Sequence, residues 1–69
     1  MKDNYLGQTI KALRKEQGLS QRRLGELIGF SNQTVSFWES GRMEPNADTL
    51  VKLAKYFNVS TEYLLGLED

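Results

Sequence analysis

The 69-residue chain contains no cysteine and no histidine. Without cysteine there is no disulfide to staple a small fold and no thiolate to hold a metal. Without histidine, the usual general base, the commonest metal ligand and every His-containing triad are missing. Proline occurs once, at Pro45, so little in the chain interrupts helices. No apolar run approaches the ~20 residues of a membrane span. The opening stretch MKDNYLGQTIK lacks the apolar core of a signal peptide. No segment alternates apolar and polar residues with period two, so no strand is expected. Repeats, low-complexity tracts and linkers are also missing, and a chain this short carries one small core. The expectation is a single domain over 1–69, cytoplasmic and non-catalytic, with no cofactor, no metal and no membrane partner.

What is present is charge, unevenly placed. The formal net charge is zero. Residues 1–42 nevertheless carry seven basic side chains (Lys2, Lys11, Arg14, Lys15, Arg22, Arg23, Arg42) against four acidic ones (Asp3, Glu16, Glu26, Glu39). Residues 43–69 carry two basic (Lys52, Lys55) against five acidic (Glu44, Asp48, Glu62, Glu68, Asp69). A basic front and an acidic back give the molecule a field that its neutral total hides.

The apolar residues recur with helical spacing throughout. Leu6, Ile10 and Leu13 stand at i, i+4 and i+7, and Gly18 stops the run, which predicts α1 over roughly 4–17. Ser20 caps α2, roughly 21–28, with Leu24, Leu27 and Ile28 inward and Gly29 just past its end. Phe30 plugs the turn. Ser31 caps α3, roughly 32–40, with Val35 and Trp38 inward and Gly41 as its stop. Residues 41–46 read as a loop. Asn46 caps α4, roughly 47–57, whose inner stripe is Leu50, Leu53, Ala54 and Phe57, and Asn58 ends it. Ser60 starts a short α5 over roughly 61–65.

The segment SQRRLGELIGFSNQTVSFWESG is the informative one. Two short helices crossing steeply need a small residue at their approach, supplied by Gly25, and a glycine at the turn, supplied by Gly29. That spacing suits a helix-turn-helix and also an ordinary helical hairpin. With Val35 and Trp38 buried, the opposite face of α3 carries Gln33, Ser36, Phe37 and Ser40.

The ordered set Leu13-Arg14, Gly18-Leu19-Ser20-Gln21, Leu24, Gly29, Ser31, Val35-Ser36, Trp38-Glu39, Gly41, Pro45, Thr49-Leu50, Leu53-Ala54, Val59-Ser60 and Leu64-Leu65-Gly66 resembles the Cro/phage-repressor (XRE) family of helix-turn-helix domains. The resemblance covers roughly residues 6–66. It departs at Gly25, where the family usually has alanine, and at Phe37, where a polar base-reading residue is common. The resemblance implies an all-α, compact five-helix bundle of the lambda-repressor-like kind. It also implies a bacterial or phage-encoded repressor that binds double-stranded DNA as a homodimer, with α3 in the major groove and α2 over the backbone.

On that footing Asn32, Gln33 and Ser36 are candidate base readers, since Asn and Gln amides each pair bidentately with adenine. Phe37 either packs on a thymine methyl or folds down beside Trp38 to extend the core. Gln21 matches a position whose amide holds a phosphate. Thr34 and Ser40 offer further contacts, and Arg22, Arg23, Arg42 and Lys11 are either phosphate contacts or solvated charges. Glu39 falls inside the apolar stripe and needs a partner; the family pairs that position with Arg14 as a structural ion pair. Tyr63, Leu64, Leu65 and Leu67 either form a two-fold dimer contact, as the family's fifth helix often does, or pack within the chain. The competing reading is a protein-interaction module of the same fold, such as an antitoxin. An enzyme would need a nucleophile–base arrangement, a phosphate loop or a metal cluster, and none is written here.

Overall fold

The computed structural model describes residues 4–67, all helix and turn. The helices are α1 (Tyr5–Glu16), α2 (Gln21–Ile28), α3 (Asn32–Ser40), α4 (Ala47–Phe57) and α5 (Thr61–Leu65). Four of them begin alike. The side chains of Ser20, Ser31, Asn46 and Ser60 accept from the backbone N–H three residues on, at Arg23, Thr34, Thr49 and Tyr63. Each such cap satisfies one orphan donor and contributes about 1 kcal/mol.

The helices also end alike. Gly18, Gly29, Gly41, Asn58 and Gly66 all adopt positive φ. The N–H of the following residue returns to the last full turn: Leu19 to the Arg14 carbonyl, Phe30 to Gly25, Arg42 to Phe37, Val59 to Ala54 and Leu67 to Glu62. This is the Schellman closure, which places the side chain after the left-handed residue next to the one five positions back. At α4 that pair is Val59 and Ala54, at the edge of the core.

The start of α1 breaks the pattern. Asn4 is left-handed, at φ 56°, with no cap bond from its side chain. Its Nδ2 instead donates to the Glu39 carbonyl at 2.7 Å, 35 positions away. The expected 4–17 range is therefore one residue long at each end, because Asn4 and Gln17 have left helical geometry.

Ile10, Leu24, Ile28, Val35, Trp38, Leu53, Ala54, Phe57 and Leu64 form the core. Helix α3 packs chiefly on α2 and α1, and α5 on α1 and α4. The Phe30 ring stands edge-on to Trp38, with centroids 5.1 Å apart, and closes the α2–α3 turn. Two assignments need correction, one inward and one at the dimer contact. Leu27 is 39% exposed, because Leu24 and Ile28 define the buried line of α2 and Leu27 falls off its edge. Leu64 is fully buried and belongs to the core, so it cannot be a dimer contact.

Close backbone approach sets where α3 sits. A Cβ on Gly25 would run into the Phe30 carbonyl oxygen, and one on Gly7 into the Trp38 carbonyl oxygen. Gly7 thus lets α1 lie against the last turn of α3, where Asn4 binds.

Candidate nucleic-acid interface

Helix α3 is held from behind by a buried polar cluster. Arg14 on α1 meets Glu39 on α3 through two bonds, Nε to Oε2 at 2.7 Å and Nη2 to Oε1 at 3.0 Å. The two side chains are only 9% and 4% exposed. Arg14 Nη1 also donates to the Leu19 carbonyl, and Gln21 Nε2 donates to Glu39 Oε1 at 3.0 Å. Arg14 and Glu39 together therefore tie α1, the α1–α2 turn and α2 to α3. Hydrogen bonding to Glu39 holds the Arg14 guanidinium above its ordinary pKa; burial opposes this and the carboxylate's charge adds to it. Among the described residues no buried side-chain polar atom lacks a partner, so the cluster is fully satisfied.

In front of this anchor lies the outward face. Asn32, Gln33 and Ser40 are exposed, and Thr34, Ser36 and Phe37 are half-buried. The Thr34 hydroxyl is hydrogen-bonded to that of Ser31 at 3.0 Å, and Ser40 Oγ donates to the Phe37 carbonyl at 3.3 Å. Phe37 does not extend the core beside Trp38, whose aromatic neighbour is Phe30. Its ring instead lies under the guanidinium of Arg42, 5.3 Å from the centroid.

On α2, Arg22 and Arg23 both reach Glu26, at 3.5 and 3.3 Å, in pairs open to solvent. Such pairs contribute little and yield readily to another anion. Gln21 spends one amide N–H on Glu39 and retains a second. Lys11 is exposed on α1 and lies on neither helix of the α2–α3 unit.

Three contacts were not legible from the residues: Asn4 to Glu39, Gln21 to Glu39, and Arg42 on Phe37. The last had a signal in hindsight, because Gly41 puts Arg42 five residues after Phe37 across a Schellman turn.

A helix-turn-helix family profile matches residues 10–64. The chain belongs to the XRE family of helix-turn-helix domains. It is 38% identical over 64 residues to the HTH-type transcriptional regulator ImmR of Bacillus subtilis (strain 168), covering 93% of this chain and 50% of that protein. It is 38% identical over 65 residues to the repressor protein C2 of Salmonella phage P22, covering 94% of this chain and 30% of that protein. The crystal structure of the P22 c2 repressor with a synthetic operator superposes with a TM-score of 0.84, at 38% identity over 91% of this chain and 96% of that one. The chain spans half or less of the length of these two curated relatives.

As an XRE domain the molecule is all-helical, and no described helix is long and apolar enough to cross a membrane. Among the described residues no cluster of His, Cys, Asp or Glu could hold a metal.

Proposed function

We propose that this chain is a single cytoplasmic domain that binds double-stranded DNA sequence-specifically as a transcriptional regulator of the repressor kind. Helix α3 enters the major groove and α2 crosses the backbone. The observation that carries this reading is the position of α3: anchored behind by Arg14 and Glu39, it offers exposed Asn32 and Gln33 in its first turn, where a recognition helix reaches base edges. The likeness to a repressor solved with its operator supports it.

In this reading Asn32, Gln33 and Ser36 read bases. Gln21, Arg22, Arg23, Thr34, Ser40 and Arg42 serve the phosphates, with Lys11 at the margin. Asn46 and the α4 that it caps are scaffold. Tyr63, Leu65 and Leu67, exposed by 40%, 39% and 71%, form the two-fold contact of a homodimer on paired half-sites. No catalytic role is assigned to any side chain.

Selection of bound duplexes from a randomised library, followed by titration across a salt series, tests this. The expected result is a two-fold-symmetric site and a log–log salt slope of about −0.9 per phosphate neutralised. No DNA binding at low salt would overturn the proposal and favour the partner-binding module.

A further inference from the structure

We infer that Phe37 acts in DNA binding as a positioning residue for Arg42, and not as a reader of bases. This rests on the DNA-binding reading above. Two features of the structure lead to it. The first is the backbone. Gly41 at φ 84° reverses the chain, and the Arg42 N–H returns to the Phe37 carbonyl at 3.0 Å. That closure sets the side chain of Arg42 beside that of Phe37. The second is the ring. The Arg42 guanidinium lies 5.3 Å from its centroid, within cation–π range.

A Schellman turn ordinarily brings two apolar side chains together at this point. Here one partner is a cation, exposed at the end of the outward face of α3. An arginine free in solvent loses several rotors when it meets a phosphate. One already laid on a flat ring loses fewer, so its contact is stronger for the same hydrogen bonds. No acidic side chain forms an ion pair with Arg42 among the described residues, unlike Arg22 and Arg23, which both lean on Glu26. Arg42 is therefore both pre-placed and unneutralised. The ring face that covers it is not available to a thymine methyl.

The test is a double-mutant cycle on the duplex that the parent chain selects from a randomised library, with Phe37→Leu, Arg42→Ala and the pair, read as affinity, salt slope and base preference. Leucine keeps an apolar side chain, and thermal melting checks that each variant folds. Arg42→Ala should flatten the salt slope by about 0.9, one phosphate. Phe37→Leu should weaken binding about two- to five-fold, the worth of an exposed cation–π contact. It should cause no further loss once Arg42 is alanine, and should leave base preference unchanged at every position. Phe37→Tyr, which keeps the ring, should bind like the parent. Additive losses, or a change of preference at one base with the salt slope intact, would overturn the inference and make Phe37 a base reader. Failure of the parent chain to select any duplex refutes the DNA reading itself, and this inference with it.

Discussion

Replacing Glu39 by alanine removes the acceptor of three hydrogen bonds: two from Arg14, at 2.7 and 3.0 Å, and one from Gln21, at 3.0 Å. The Arg14 side chain is 9% exposed. It keeps its bond to the Leu19 carbonyl but loses its counter-charge. Breaking a buried pair from one side costs about 3–5 kcal/mol. The slight exposure of Arg14 favours the lower figure. A core this small supplies only ~3–5 kcal/mol in all, so the variant sits at the edge of folding. At about 4–8 °C per kcal/mol for a domain of this size, a loss of ~3 kcal/mol lowers Tm by about 12–24 °C. Thermal and urea unfolding followed by circular dichroism measure it. Replacing both partners with apolar residues, Arg14→Met with Glu39→Leu, should recover most of the loss, because no charge is then left buried. The folded Arg14 pKa is raised, so its stabilisation is complete below the unfolded value and lost only as pH rises through the folded one. Stability from this group is therefore flat through neutral and mildly alkaline pH. A Glu39→Ala protein that melts within about 2 °C of the parent, against the shift expected above, while losing DNA affinity would show that Glu39 acts at the DNA and not in the fold.

Gln33→Ala should reduce preference for one base in each half-site by about 1–3 kcal/mol and leave the others untouched; a panel of single-base operator variants decides it, and a uniform loss would move the recognition face elsewhere. Gly7→Ala should lower Tm although alanine is the better helix former by about 1 kcal/mol, because the new methyl meets the Trp38 carbonyl; a rise in Tm would contradict the close approach. Ser31→Ala should cost about 1 kcal/mol in urea unfolding through the lost bond to the Thr34 N–H at 3.1 Å, and an unchanged midpoint would show the cap to be idle. Leu65→Glu should abolish dimers in analytical ultracentrifugation without lowering Tm, since Leu65 is 39% exposed; an unchanged oligomeric state would remove α5 from the contact.

The residues alone determined what is local. Ser20, Ser31, Asn46 and Ser60 start helices because a short polar side chain reaches a backbone N–H three residues on, whatever lies beyond. Gly18, Gly29, Gly41 and Asn58 end them because a left-handed residue must follow the last turn. Helical spacing likewise marked Leu24, Val35, Trp38 and Leu53 as core, and Glu39 as an inward charge in need of a partner. Tertiary structure decided what depends on distant segments meeting. Leu27 and Leu64 both carry leucine at plausible inward positions, yet one is exposed and the other fully buried, because burial is set by which neighbour covers the face. Asn4 reads as the first residue of a helix. Only the arrival of the α3 terminus, with Gly7 leaving room for it, turns Asn4 into the donor that closes the Glu39 carbonyl. Gln21 shows the same limit at the candidate interface: its type announces an amide, but its partner Glu39 is brought beside it only by the folded chain.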